Sequence, residues 1–252
     1  VLRLTSESLF RKVKSRNLIS FIDTKNLSIT YLTKYRVLKK SINFQYQAQY
    51  SVSHEPTFQE KEIWLVLHGY GQLAEFFIRK FQGFDSSDRL FIAPEATNYG
   101  YLTGFSGRVG SNWMTKHERE TAIQNNHNYL DLLMENLLSQ YQDMPKINLL
   151  GFSQGAATAT RWASRWTGEV DQLVLWAGGF AQDMALEDAR EKFSQTKLSL
   201  VLGDQDEFVT PESIEIQQDL IKNLGKEVKK LTFRGRHEID SEMLSIILDS
   251  SD

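Results

Sequence analysis

One short stretch of this 252-residue chain holds the residue types and spacing of covalent catalysis. Residues 147–155 read Ile-Asn-Leu-Leu-Gly-Phe-Ser-Gln-Gly, an apolar run that stops at Gly151-Phe152-Ser153-Gln154-Gly155, and an Ala-rich stretch follows. This is G-x-S-x-G between an expected strand and an expected helix, the context that gives the pattern meaning. A strand that turns sharply into a helix strains the central residue and crowds the flanking positions, which explains the glycines. The strain exposes the Ser153 hydroxyl as a nucleophile. The helix start aims N–H groups at a developing oxyanion, with that of Gln154 placed to donate. The competing reading of the bare pattern is a chance Gly/Ser turn.

A serine hydroxyl needs a base within hydrogen-bond reach. With this motif the partners follow in chain order Ser, acid, His. His54, His68, His117 and His127 all precede Ser153, which leaves His237, in Arg234-Gly235-Arg236-His237-Glu238. The acid falls after the apolar run 198–202, in Gly203-Asp204-Gln205-Asp206-Glu207-Phe208-Val209. Asp206 is favoured, a turn beyond the strand and before a helix beginning near Pro211; Asp204 and Glu207 compete with it on spacing.

The apolar run 63–67 ends in His68-Gly69-Tyr70-Gly71-Gln72, the usual place for a second oxyanion donor, here the Tyr70 N–H. The same residues fit another class of protein. Gly69-x-Gly71-x-x-Ala74 matches a dinucleotide fingerprint, with Glu95 after the next strand as a ribose-binding acid. That alternative leaves the segments around Ser153, Asp206 and His237 without a role. No metal site and no cofactor is expected, because no His pair has helical ligand spacing and there is no cysteine.

These residues must be held by a sheet. Short apolar runs at 63–67, 90–93, 147–150, 173–177 and 198–202 do not alternate, which marks strands buried on both faces of a parallel sheet. A last strand is expected at 228–233. Residues 41–52 alternate strictly, with Ile42, Phe44, Tyr46, Ala48, Tyr50 and Val52 on one face, and read as an antiparallel edge strand. Helices are expected at 72–82, 118–140, 154–166, 182–193, 211–224 and 238–248, with start signals near Asp183, Thr210-Pro211 and Asp240. Strand–helix alternation predicts an α/β, doubly wound, mostly parallel sheet with an antiparallel first strand. The irregular stretch 94–117, rich in Gly and aromatics, reads as a packed, substrate-facing loop.

Composition is that of an ordinary globular chain, 41% hydrophobic and 24% charged. A net charge of -3 offers no footprint for nucleic acid. No apolar run of about 18 residues is present to span a membrane, and the expected address is cytoplasmic. Residues 1–40 carry ten Lys/Arg against Glu7 and Asp23, so the composition changes sharply at Lys39-Lys40. They are read as a basic, poorly ordered N-terminal extension, at best a weak amphipathic helix, ahead of a domain at 41–252. A targeting segment, or a stretch outside the functional protein, are the alternatives.

The sequence resembles the phospholipase/carboxylesterase group of α/β-hydrolases, small esterases related to acyl-protein thioesterases, over about residues 60–250. The resemblance rests on His68-Gly69-x-Gly71, on Gly151-Phe152-Ser153-Gln154-Gly155, and on Gly203-x-x-Asp206-x-x-Val209. It carries the acid role to Asp206. It implies an α/β-hydrolase fold and a serine hydrolase of esters or thioesters acting on a small-molecule substrate without a cofactor. Trp113 matches a tryptophan usual before the long helix, and Trp113 and Phe180 are expected to shape the substrate cleft. Arg236 stands where the group often has Gly. No long insertion separates 173–177 from 198–202, so no large cap domain is expected. A catalytically silent binding protein on the same fold is the further alternative.

Overall fold

The computed structural model describes residues 38–249, together with the backbone of three upstream strands. The chain divides into two compact units, Val1–Tyr46 and Gln47–Asp252. In the first, β1 (Lys12–Ser15), β2 (Leu18–Asp23) and β3 (Ser28–Thr33) pair as an antiparallel meander. Strand pairing thus replaces the weak helix expected here. The segments LISFID and SITYLT are rich in β-branched and aromatic residues, which suit extended backbone. The side chains of residues 1–37 lie outside the described residues.

The second unit runs β4 (Tyr50–Val52), β5 (Glu62–Leu67), α1 (Ala74–Phe77), a 3-10 turn (Ile78–Phe81), β6 (Arg89–Pro94), β7 (Asn98–Tyr101), β8 (Val109–Asn112) and α2 (Arg119–Leu138). It continues with β9 (Lys146–Phe152), α3 (Gln154–Ala163), β10 (Gln172–Trp176), α4 (Leu186–Lys192), β11 (Lys197–Gly203), α5 (Pro211–Leu224), β12 (Val228–Phe233) and α6 (Ser241–Asp249). Seven strands form one sheet in the order β12-β11-β10-β9-β5-β6-β4. Every pairing is parallel except that of β4 with β6.

From β5 the chain steps outward to β6, and α2 then brings it back to β9 on the other side of β5. The carboxyl ends of β5 and β9 are therefore a topological switch point, where an open α/β sheet leaves a crevice. Both faces of the sheet are covered. Ile63, Leu65, Leu149 and Leu175 pack toward α2, α3, α4 and α5, while Trp64, Val66, Leu150 and Trp176 pack toward α1, the 3-10 turn and α6. Burial on both faces is why these strands read as unbroken apolar runs.

Local chemistry explains the helix boundaries. Thr210 N-caps α5 in a reciprocal capping box with Ser213, and Pro211 opens the helix. Asp240 caps α6 through its carboxylate and the Met243 N–H at 2.8 Å. Asp183 is not a helix start: α4 begins at Leu186, and Asp183 pairs with Arg119 and Arg161.

Three further expectations are corrected. The edge strand spans only Tyr50–Val52, because Tyr50 already lies opposite Pro94, the last residue of β6, and beyond it one bond, from the Glu95 N–H to the Gln49 carbonyl, continues the pairing. Ile42 and Phe44 are exposed instead of facing a core. The helix expected at 72–82 is one α turn followed by a 3-10 turn. The irregular stretch 94–117 contains the β7–β8 hairpin, in register Asn98 to Asn112 and Gly100 to Gly110, with Tyr99, Tyr101 and Phe105 exposed.

Candidate active site

Ser153 sits between the end of β9 and the start of α3 with φ 54° and ψ -117°, a conformation that costs an L-residue about 1–3 kcal/mol. Two bonds hold it there: its N–H donates to the Trp176 carbonyl at 2.8 Å, and its carbonyl accepts the Ala156 N–H at 3.0 Å. Both motif glycines are sterically required. A Cβ at Gly151 would lie 2.5 Å from the Ala156 Cα, and one at Gly155 would lie 2.2 Å from the Leu67 carbonyl oxygen. Helix α3 can therefore cross the end of β5, leaving Ser153 partly open at the sheet's carboxyl edge.

The structure brings His237 and Asp206 together. His237 Nδ1 lies 2.8 Å from Asp206 Oδ2, and the Asp206 side chain is fully buried. Its other oxygen accepts the Phe208 N–H at 2.9 Å. With the Nδ1 proton held by the carboxylate, Nε2 keeps its lone pair free for proton transfer. The imidazole is clamped between two rings, Phe152 at 5.0 Å and Phe208 at 4.7 Å. Phe152 directly precedes Ser153, so His237 packs against the turn that carries Ser153.

The three competing acids are now distinguished by their contacts. The Asp204 carboxylate accepts the Gly235 N–H at 3.1 Å, and Glu207 is exposed. Asp204 N–H donates to Phe233 and Gln205 N–H to Gly235, so the loops carrying Asp206 and His237 are zipped together. The Trp176 indole donates to the Glu238 carbonyl at 2.8 Å and ties this pair of loops to β10. Arg236, the departure from the group's glycine, is exposed, so its side chain does not crowd this packing.

The loop after β5 lies against the serine: a Cβ at Gly69 would lie 3.2 Å from the Ser153 Cβ. Next to it, the Tyr70 N–H has no hydrogen-bond partner among the described residues. Gln154, the first residue of α3, offers an N–H from the unsatisfied helix start. One of these N–H groups follows Ser153 directly in the chain and the other lies on the loop packed against it, so they could together receive an oxyanion.

The other donors of this loop are occupied, which removes the basis of the dinucleotide reading. Gly69 N–H bonds Gln72 Oε1 at 2.8 Å, Gly71 N–H bonds the Ser111 carbonyl at 2.8 Å, and Ala74 N–H bonds Glu95 Oε2 at 2.8 Å. No row of free N–H groups remains for a pyrophosphate, and Glu95 caps α1 instead of awaiting a ribose.

Trp113 and Phe180, expected in the substrate cleft, are buried, at 0% and 3% exposure. Trp113 works from behind the site. Its indole donates to the His68 carbonyl at 2.8 Å, and its ring packs at 5.1 Å from that of His68. Phe180 is pinned through its backbone by Gln217, with bonds of 2.8 and 3.1 Å.

Sequence reasoning missed several contributors. His68 is fully buried: Nε2 accepts the Ala96 N–H at 3.1 Å and Nδ1 donates to the Gly69 carbonyl at 2.8 Å, a neutral tautomer. Burial pushes its pKa down, which favours that neutral form. Phe208 and the Gln154 side chain were also missed. Only their adjacency to Asp206 and Ser153 marks them in the sequence. Among the described residues, no group of three or more His, Asp or Glu could hold a metal ion, and no helix is long and apolar enough to cross a membrane.

Comparison with known proteins agrees with this architecture. The sequence profile of the phospholipase/carboxylesterase family matches residues 48–251. Among solved structures, acyl-protein thioesterase 2 from Zea mays superposes with TM-score 0.63 at 18% identity, over 81% of this chain and 98% of that one. Esterase PE8 gives TM-score 0.62 at 23% identity, over 82% and 98% of the two chains. A phospholipase/carboxylesterase from Dyadobacter fermentans gives 0.59 at 20%, with the same coverage of 82% and 98%. No curated sequence matches the chain. An open parallel sheet with an antiparallel edge, a strained serine between β9 and α3, and a profile match across the second unit lead to one conclusion: the chain is an α/β-hydrolase of the phospholipase/carboxylesterase family.

Proposed function

We propose that this protein is a serine hydrolase that cleaves carboxylic esters or thioesters through an acyl-enzyme. Ser153 is the nucleophile. His237 takes its proton and returns it to the leaving group. Asp206 orients the imidazole and stabilises its cation, and the N–H groups of Tyr70 and Gln154 receive the oxyanion. Water then releases the acyl group.

The observation that carries this reading is the 2.8 Å contact between His237 and a fully buried Asp206 carboxylate, beside a serine whose backbone is held in a strained turn. The structural neighbours include a thioesterase and esterases, which supports both leaving-group types. A fluorophosphonate probe tests the proposal: the parent protein is labelled and Ser153→Ala is not. Labelling that survives the substitution overturns it.

A further inference from the structure

A cavity of about 260 Å³ opens beside the candidate site, between α5 and strands β10, β11 and β12. One end of it adjoins the candidate site. Phe208 lines it and packs on the His237 ring at 4.7 Å. Gly178 lines it too, and sits so close to Ser153 that a Cβ there would lie 2.5 Å from the serine's carbonyl oxygen. From this end the cavity follows α5 from Ser213 to Ile221, eight residues or roughly 12 Å at helical rise. Along β11 it passes Leu202 and then Leu200.

The walls are mainly aliphatic, and the polar groups divide by position. Ser213 is engaged in the α5 capping box, and both ends of the Gln217 amide are engaged by Phe180. Gln218 and Lys230 also line the cavity, and among the described residues neither side chain has a hydrogen-bond or ion-pair partner. Lys230 lies opposite Leu200 in the β11–β12 register, at the end away from His237. An apolar slot thus runs from Gly178, against the Ser153 backbone, to Lys230, an exposed residue whose side chain has no partner among the described residues.

We propose that this slot holds a medium-length acyl chain, roughly eight carbons, whose far end carries a carboxylate that meets Lys230. The inference rests on the serine-hydrolase reading for which group is acylated. The length follows from volume: an apolar cavity of about 150 Å³ accommodates benzene, so one of 260 Å³ accommodates roughly eight to ten carbons. The acyl portion is assigned to the slot because it stays attached through both chemical steps, whereas the leaving group must depart before water enters. The anionic end is assigned because, among the described residues, Lys230 is the only cationic residue lining the slot.

Binding to Ser153→Ala protein tests this without catalysis. Methyl octanoate is compared by calorimetry with monomethyl suberate, its near-isostere ending in carboxylate. The suberate is expected to bind about fivefold more tightly, the scale of an exposed ion pair, and Lys230→Met is expected to remove that preference. Ile214→Trp, at a position 41% exposed that lines the slot, is expected to abolish binding of both while the melting temperature stays near that of the parent. Equal binding of the two ligands, or binding that survives Ile214→Trp, overturns the proposal. Hydrolysis of p-nitrophenyl acetate by the parent protein reads the serine-hydrolase assignment separately. Its absence beside slot-dependent binding would remove the chemistry and support the slot.

Discussion

The Gln154 side chain and the Trp113–Met114 segment are joined at both ends: Trp113 N–H donates to Gln154 Oε1 at 2.9 Å, and Gln154 Nε2 donates to the Met114 carbonyl at 2.9 Å. The residue after Ser153 therefore has two tasks. Its backbone N–H is the one proposed to receive the oxyanion, and its side chain fastens the segment whose indole holds the His68 carbonyl. The loop carrying Tyr70 is fixed from behind through this chain of bonds.

Gln154→Met separates the two tasks, since it keeps the backbone N–H and the side-chain length. It leaves the Trp113 N–H and the Met114 carbonyl without partners, at a cost of about 1–3 kcal/mol. A lowered melting temperature is expected, with fluorophosphonate labelling slowed but retained. An unchanged melting temperature would count against the fastening role.

Gly155→Ala tests the close crossing of α3 over β5. The added methyl would meet Leu67 and His68 carbonyl oxygens at 2.2 and 2.7 Å, so backbone must move. A loss of roughly 3 kcal/mol or more is expected from urea unfolding. A loss below about 1 kcal/mol would show that the crossing relaxes easily.

Asp206→Asn and Asp204→Asn should behave differently. At Asp206 an amide cannot accept from both the Phe208 N–H and His237 Nδ1, so the imidazole loses its orienting carboxylate. A fall in kcat of about 10³–10⁴ with little change in KM is expected. At Asp204 the amide oxygen can still accept the Gly235 N–H, so the effect should stay below about tenfold. Steady-state kinetics on one p-nitrophenyl ester compares them, and equal losses would remove the distinction.

Glu60 gives the fold a pH dependence. It is only 2% exposed; Oε1 accepts the Thr57 N–H and hydroxyl, each at 2.8 Å, and Oε2 accepts the Tyr141 hydroxyl at 2.6 Å. Burial works to raise its pKa, but the hydrogen bonds from Tyr141 and Thr57 outweigh it and hold the carboxyl at about 2, against an ordinary 4.5. A depressed native pKa contributes stability above the unfolded value, near 4.5, that is lost as pH falls toward 2. Glu60→Gln should remove up to about 3 kcal/mol at neutral pH and flatten the acid limb. Urea midpoints measured from neutral pH down to acid check both.

The sheet was readable because its strands are buried on both faces, so runs such as IWLVL and LVLW carry an unbroken apolar signal. The span of α5 also reads directly, since Thr210, Pro211 and Gly225 punctuate it. The reading overreached at 41–52, where alternation is genuine but β6 ends opposite Tyr50 and one bond at Gln49 continues the pairing. The β7–β8 hairpin left no apolar alternation to find in NYGY and VGSN. At the candidate site, the motif and residue order single out Ser153 and His237, while spacing leaves Asp204 and Glu207 in competition with Asp206, which the family resemblance favours. Side-chain pairings across 40 or more residues, such as Trp113 to His68, have no local signal, so Trp113 was read as part of the cleft instead of its support.

Trp176 contacts both parts of the site, through its carbonyl to the Ser153 N–H and through its indole to the Glu238 carbonyl. The candidate site thus divides into two hydrogen-bonded parts that share Trp176. One part is Ser153 with Gln154 and the Trp113 segment; the other is Asp206 and His237 on their zipped loops. Between them the Phe152 and His237 rings only pack, so the seam runs there. Opening along that seam would part His237 from Ser153 before it parted His237 from Asp206.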